Sequence, residues 1–277
     1  ILGSITLQHF LEQYEHVCGM TATACPAADE LAELYDLPVV VVPPNRHCVR
    51  RDEADLVFTH QEAKHHALVR QIQTWHDARR PVLVGTASVA ESDQLGELLR
   101  AAGIRCQVLN ARNDAIEAEL IADAGAPGAV TISTNMAGRG TDIRLGGHDE
   151  SQREVVVASG GLCVIGTNRH ESRRIDDQLR GRAGRQGDPG SSRFYISLQD
   201  PLIVRHGIDA LIPDRFRPAL QADPFDHPVV RREIDRAQRI VEGQSFDIRR
   251  TLFRYSQFVE DQRRLLFERR ERVFLGQ

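Results

Sequence analysis

The sequence lacks the features that mark membrane and secreted proteins. No apolar run approaches the ~20 residues that a membrane-spanning helix needs, and no basic start followed by an apolar centre predicts a signal peptide. A net charge of -4 argues against binding of a polyanion by bulk electrostatics. Aromatic residues make up only 5% of the chain, which does not favour stacking platforms for single-stranded nucleic acid.

Cysteine is sparse, and its spacing argues against a metal or disulfide framework. The cysteines are odd in number, and none form a Cys-x-x-Cys pair, so we expect free, buried thiols in a reducing compartment. They are Cys18, Cys25, Cys48, Cys106 and Cys163.

Lysine is almost absent, since Lys64 is the only one. Arginine therefore supplies nearly all positive charge, as a planar donor fork suited to phosphates and carboxylates, although genomic base composition would give the same bias. A phosphate-cradling loop ends in Gly-Lys-Ser/Thr, and Lys64 follows Ala63 inside a predicted helix. A magnesium-holding carboxylate should end a buried apolar strand, which Asp29 and Glu30 do not. These residues therefore contain no P-loop site.

The length of 277 residues allows one large domain, or one domain with an appendage. Because the first residue is Ile1 rather than Met, we expect the N-terminus to be a cut. Strands alternate with helices along the middle of the chain, which predicts a parallel sheet of the α/β class. The predicted strands are residues 39–42, 56–59, 82–86, 107–110, 129–134, 162–166 and 193–198. The predicted helices between them are residues 61–76, 88–103, 113–124 and 172–182, with Ser88 and Glu91 as a capping box.

Helical patterns also flank this alternation. Residues 4–17 carry apolar positions near helical spacing, and Pro26 suits the first turn of a second short helix over residues 26–35. Residues 229–274 contain no proline, only Gly243 among glycines, and more arginines than acidic residues. This stretch predicts one long helix bent near Gly243, or two helices, forming a C-terminal arm.

Segment 134–143 is the first candidate site, directly after a predicted strand. Two glycines let the backbone turn tightly and approach a ligand, and three polar residues add a cation, a hydroxyl and a carboxylate. These residues are Gly138, Arg139, Gly140, Thr141 and Asp142. The carboxylate would accept from a ribose hydroxyl or orient a nearby arginine. An ordinary glycine turn is the alternative, and the dense polar run at the carboxyl end of a strand favours a ligand site.

Segment 170–188 is the second candidate site. On a helix, Arg174, Gln178 and Arg182 lie four apart and share a face, and Arg185 follows where glycines break the helix. We expect these arginines at the carboxyl edge of the sheet, converging on a triphosphate, where an arginine at the γ-phosphate is worth ~10³–10⁵ in rate. A solvated basic helix paired with its acidic neighbours is the alternative, and the glycines between the arginines favour the functional interpretation.

The pattern Gln-x-x-Gly-Arg-x-Gly-Arg at residues 178–185 resembles the sixth motif of superfamily 2 helicase-type motors. Its surroundings are similar to the SecA family of preprotein translocase ATPases. The matching segments are residues 19–24, 82–86, 134–143, 160–162, 166–176 and 190–195. Ala22 and residues 255–258 depart from the family pattern, as a divergent or accessory member would.

This resemblance implies the second lobe of a RecA-like motor with flanking helices and a helical arm. Residues 1–38 would close the first nucleotide-binding domain, residues 39–205 form the second, and residues 206–277 supply a linker and the start of a helical scaffold. It also implies site roles. Arg182 and Arg185 would reach the phosphates, Asp142 and Arg139 would lie against the nucleotide, and Arg174 would belong to a salt-bridge gate.

The implied function is ATP-driven export of preproteins through the Sec channel. ATP with Mg²⁺ would be bound together with an N-terminal P-loop lobe that holds the magnesium, so this chain alone would be inactive. The protein would be cytoplasmic and peripheral on the inner face of the bacterial plasma membrane, with a homodimer left open and nucleic acid not expected as a partner. The alternatives are a nucleic-acid helicase lobe and a non-catalytic regulatory lobe.

Overall fold

The computed structural model describes residues 5–109, 120–134, 140–212, 221–225 and 228–276. The chain divides into two compact units. The larger unit is Pro43–Gln238, and the smaller consists of Ile1–Val42 and Arg239–Gln277. The domain boundaries that we predict at residues 38/39 and 205/206 stay predictions.

The larger unit is built on a parallel sheet of seven described strands. They are β1 (Arg51–Asp52), β2 (Leu56–Phe58), β3 (Val82–Thr86), β4 (Gln107–Leu109), β5 (Val130–Thr134), β6 (Leu162–Gly166) and β7 (Gly190–Ser197). Their order across the sheet is β1-β7-β6-β3-β5-β4. Strand β2 also pairs with β7, at later residues of β7 than those that pair with β1. Every pairing between the described strands is parallel, which confirms the predicted α/β class.

Helices cover both faces of this sheet. The helices of the larger unit are α3 (Gln61–Asp77), α4 (Val89–Ala101), α5 (Arg153–Ala158), α6 (Arg173–Arg180), α7 (Pro201–Arg205), α8 (Ile208–Leu211) and the first part of α9 (Pro228–Leu275). Side chains alternate between faces along a strand, so Val82 and Val84 of β3 pack with Leu68 of α3 and Leu95 of α4. Leu83 packs in the second apolar cluster, which includes residues of α5, α6 and α9.

The predicted cap of α4 is confirmed. Ser88 is the N-cap residue, and its side chain accepts a hydrogen bond from the backbone N–H of Glu91 at 3.2 Å. The Glu91 carboxylate in turn accepts from the N–H of Ala87 at 3.0 Å. The first of these bonds satisfies a donor that the first turn of a helix leaves without a partner, and the second fixes the residue that precedes the cap.

Residues 39–42, predicted as a buried strand, form no strand, and this prediction is wrong. Val40, Val41 and Val42 are mostly exposed. The prolines on both sides supply no backbone N–H to a ladder, and the run ends where one compact unit gives way to the other. Apolar content alone therefore gave a false strand. The thiols of Cys18, Cys25 and Cys48 are likewise exposed rather than buried.

The smaller unit contains α1 (Leu7–Leu11), α2 (Ala28–Tyr35) and the residues of α9 after Gln238. The helix predicted over residues 4–17 is thus much shorter, while α9 is one continuous helix past Gly243. His9 stacks on Phe253 at 5.8 Å. Among the described residues, no helix combines the length and the apolar content that crossing a bilayer requires.

Candidate functional site

The two candidate segments meet in the structure. Arg185 Nη1 donates to Asp142 Oδ1 at 2.5 Å, and Arg182 Nη1 donates to the backbone carbonyl of Thr141 at 3.2 Å. Gly140 precedes them with a φ of 91°, a conformation that favours glycine. Gly138 and Arg139 lie outside the described residues, so their predicted roles stay untested.

The contact between Arg185 and Asp142 faces solvent. The Arg185 side chain is 38% exposed and that of Asp142 is 61% exposed. Surface ion pairs contribute only ~0–1 kcal/mol because water screens them. A carboxylate held this weakly is exchangeable for another anion, and a guanidinium binds phosphate with the same donor fork. Of the two roles predicted for Asp142, the contact corresponds to orienting a nearby arginine.

The arginine loop, residues 181–187, follows from where α6 ends. Gly181 is the C-cap, and its N–H donates to the carbonyl of Asp177 at 2.8 Å. Gly184, Gln186 and Gly187 then adopt left-handed φ values of 72°, 52° and 80°. Arg182 consequently lies beyond the helix, and the predicted helical face shared by Arg174, Gln178 and Arg182 is wrong for Arg182.

The arginine loop lies toward the amino edge of the sheet. Helix α6 begins after the carboxyl end of β6 and returns across the sheet, so its far end precedes the first residue of β7. Gly161, just before β6, packs against Pro189, which places this loop beside the start of both strands. Our prediction that these arginines sit at the carboxyl edge is therefore wrong.

The remaining predicted residues on α6 are separate from this loop. Arg174 is exposed in the first turn, at the opposite end of the helix from Arg182 and Arg185. Within the described parts of the chain, no carboxylate forms an ion pair with Arg174. Gln178 is half-buried in the last turns of α6. The structure thus brings Arg182, Arg185, Thr141 and Asp142 together and leaves Arg174 apart.

A buried charge network that our sequence analysis missed anchors the first turn of α6. Asp176 is fully buried and accepts hydrogen bonds from Arg169 Nη1 at 3.0 Å, His170 Nδ1 at 2.7 Å and Gln238 Nε2 at 2.8 Å. Arg169 also bonds Asp55 through Nε at 2.8 Å. The alternative of a solvated basic helix counts Asp176 among the acidic neighbours of that helix, whereas the structure buries it. No local pattern in the sequence links Asp176 to Gln238, which lies 62 residues away.

Burial and charge act in opposite directions on the two carboxylates of this network. Burial alone would raise the pKa of Asp176, but the hydrogen bond from His170 and the charge of Arg169 outweigh it and hold that pKa below 3.8. At Asp55, burial prevails over Arg169, so its pKa is raised. Asp176 therefore keeps its negative charge more readily than Asp55 does.

The single lysine has a structural position. Lys64 Nζ bonds Asp200 Oδ1 at 2.5 Å and the carbonyl of Thr167 at 2.9 Å, and both charged side chains are buried. Burial raises the pKa of Asp200 to about 6 despite the charge of Lys64. Lys64 thus joins α3 to the segments that leave β6 and β7. In the described part of the chain, no cluster of His, Cys, Asp or Glu is arranged to hold a metal ion.

Comparison with known proteins places this geometry in a family. The SecA P-loop domain matches residues 47–155 and 148–213, and the SecA wing and scaffold domain matches residues 224–277. The solved structure of the yeast DEAD-box splicing factor Prp28 aligns with a TM-score of 0.46 and 16% identity, covering 78% of this chain and 44% of that one. A likeness at that level says nothing about function.

Curated relatives match almost the whole chain. The protein translocase subunit SecA of Coxiella burnetii is 45% identical over 97% of this chain and 32% of its own length. The SecA 2 subunit of Corynebacterium diphtheriae is 47% identical over 99% of this chain and 35% of its own length. The chain spans about a third of the length of these relatives. With its P-loop and scaffold domains both matched, the chain belongs to the SecA family.

Proposed function

We propose that this chain is the arginine-bearing lobe of an ATP-driven protein translocation motor, working with a P-loop lobe that holds the phosphates and magnesium. The proposal draws on relatives named as protein translocase subunits. The observation that carries it is the arginine loop, which presents Arg185 to solvent against an exposed carboxylate. Lys64 is the only lysine and is buried, so the phosphate cradle has to come from outside these residues.

The arginine loop fits a triphosphate because it offers guanidinium donors, and the ion pair of Arg185 with Asp142 is exposed to solvent and therefore weak. ATP bound with Mg²⁺ would supply the γ-phosphoryl group that is transferred to water, with ADP as the leaving group. Arg185 exchanges Asp142 for a phosphate oxygen, and Arg182 exchanges the Thr141 carbonyl, which stabilises charge on the transferring group. Asp142 holds Arg185 in place when no anion is present. On the family resemblance alone, we assign a nucleotide contact to Arg139, which lies in the same segment 134–143 as Asp142.

The substrates and partners follow from the same proposal. Preproteins are carried through the Sec channel, with the motor cytoplasmic and peripheral on the inner face of the bacterial plasma membrane. Arg174, exposed in the first turn of α6, is left to form a salt-bridge gate with an acidic residue of the P-loop lobe. A homodimer is compatible with this arrangement.

The proposal is tested with a chimera in which this chain replaces the matched segment of the Corynebacterium diphtheriae relative. We expect the chimera to hydrolyse ATP, the chain alone to show no turnover above background, and Arg185→Ala to lower kcat by about 10³ or more. Arg144→Ala is the matched control, because Arg144 forms a comparable exposed ion pair with Glu150 at 3.3 Å. Equal turnover in the two variants would reject the role of Arg185.

A further inference from the structure

Residues 46–52, which we call the brace segment, pack directly on the arginine loop. Arg50 Nη1 donates to the carbonyl of Ala183 at 3.3 Å, and Arg46 reaches the carbonyl of Gln186 at 3.5 Å. The segment follows Pro43-Pro44 and pairs with β7 through β1. It therefore contacts the loop from outside α6 and β7, the two elements that the loop connects.

The stem of Arg50 occupies the place of a side chain at Gly184. A Cβ built on Gly184 would lie 2.5 Å from Arg50 Cβ and 3.2 Å from Arg50 Cγ. Gly184 also has a φ of 72°, which strains any residue with a side chain. Arg50 thus packs against the left-handed turn in space that only a glycine at position 184 leaves open.

The guanidinium of Arg50 is in turn fixed to the sheet. Its Nε and Nη2 donate to the two oxygens of Asp52 at 2.7 and 2.9 Å, and Asp52 also accepts from Ser192 Oγ at 2.6 Å. Bidentate arginine–carboxylate pairs of this kind are geometrically specific. Asp52 lies opposite Ser192 in the pairing of β1 with β7, so Arg50 is held by regular secondary structure.

We propose that Arg50 is a positioning residue that holds the arginine loop, and with it Arg182 and Arg185, in the conformation that meets the nucleotide. This inference rests on the proposed function for its catalytic consequence. Its structural part concerns only this chain, so the two are tested separately.

The structural test measures hydrogen exchange of loop amides in the 277-residue chain. The amides of Arg182, Ala183 and Asp188 are hydrogen-bonded within the loop and its flanks. We expect Arg50→Ala to speed their exchange about tenfold, the effect of losing one charge-assisted hydrogen bond. Exchange in β6 should not change. An unchanged loop, or faster exchange throughout the sheet, would overturn the inference.

Two further variants sharpen this test. Arg51, the first residue of β1, follows Arg50 in the sequence but is exposed, and in the described residues its side chain makes no hydrogen bond or ion pair. Arg51→Ala should therefore leave loop exchange unchanged. Arg50→Lys keeps the aliphatic stem over Gly184 and loses the bidentate pair with Asp52. It should restore part of the protection lost in Arg50→Ala, and a lysine variant as unprotected as alanine would contradict the role of the stem.

The catalytic test uses the chimera and separates kcat from KM. We expect Arg50→Ala to lower kcat about tenfold with a smaller change in KM for ATP, because it misplaces groups that act on the transferring phosphoryl. If Arg185→Ala abolishes turnover while Arg50→Ala behaves like Arg51→Ala, the positioning inference fails and the proposed function stands. If Arg185→Ala has no effect, the proposed function fails, and the exchange data still decide whether Arg50 holds the loop.

Discussion

The two ends of α6 carry the same residue types in opposite settings. At its first turn, Asp176 is fully buried and bonded to Arg169, His170 and Gln238. Past its last turn, Arg185 meets Asp142 in an ion pair open to solvent. The first arrangement involves groups that cannot be rehydrated without unfolding, whereas the second exchanges with water or an anion at little cost.

This difference indicates that one end of α6 anchors the helix in the core and that the other end presents charge to solvent. The buried end fixes α6 to Asp55, in the loop between β1 and β2, and to Gln238 of α9. The exposed end presents charge that is free to change partner. Under the proposed function, Arg185 changes its partner from Asp142 to a phosphate while the anchored end of α6 keeps the helix in place.

The largest effect should come from the buried end. Asp176→Asn removes the charge that balances Arg169 in a dry environment, and we expect it to lower the free energy of unfolding by about 3–5 kcal/mol. Asp177→Asn is the control on the next residue, since Asp177 pairs with Arg180 at 2.8 Å with its side chain 44% exposed, and it should cost under about 1 kcal/mol. Urea unfolding followed by fluorescence of Trp75, on α3 of the larger unit, measures both.

Comparing Asp176→Asn with wild type at several pH values tests the direction of the pKa shift of Asp176. Because the pKa of folded Asp176 lies below its ordinary 3.8, its contribution is fully present above that value and is lost as pH falls. The difference in unfolding free energy between wild type and Asp176→Asn should therefore shrink as pH falls below about 4. A difference that grows on acidification would contradict the assignment.

Features that depend on neighbouring residues could be predicted from the sequence, whereas contacts between residues far apart along the chain could not. The sheet, α3, α4 and the cap at Ser88 follow from local periodicity and short motifs, and the structure confirms them. The meeting of Asp142 with Arg185 was expected only as one of two options. The bond between Asp176 and Gln238 joins residues 62 apart and leaves no local pattern.

The errors have physical causes of the same kind. Residues 39–42 are apolar enough for a strand but have no neighbouring strand to pair with in the described structure. The arginine loop was expected at the carboxyl edge because ligands often bind there, yet helix α6 returns the chain to the amino edge before the loop begins. Both errors concern the path of the backbone in the folded chain, which the local composition of a segment does not determine.

A medium effect is expected at Gly184, which lies between the two extremes. Gly184→Ala combines a left-handed φ of 72° with a close approach of the new methyl group to Arg50, and should destabilise the larger unit by roughly 2–4 kcal/mol. Gly103→Ala isolates the backbone part, because Gly103 has a φ of 80° and nothing within 4 Å of a built Cβ, and should cost about 1–2 kcal/mol. Urea unfolding measures both variants. Equal losses of unfolding free energy would mean that the side chain of Arg50 moves away from the new methyl group at no cost.

The smallest effect on stability is expected at the exposed end itself. A double-mutant cycle of Asp142→Asn and Arg185→Gln should give a coupling energy below about 1 kcal/mol, falling further as salt is added, because both side chains are solvated. The exposed pair of Arg144 and Glu150 is the matched reference and should give a similar value. A coupling above about 2 kcal/mol would mean that Asp142 holds Arg185 too firmly to release it to a phosphate. A small coupling energy together with a large loss of kcat in the Arg185→Ala chimera would show that Arg185 serves ligand binding and catalysis. It would also show that Arg185 contributes little to the stability of the fold.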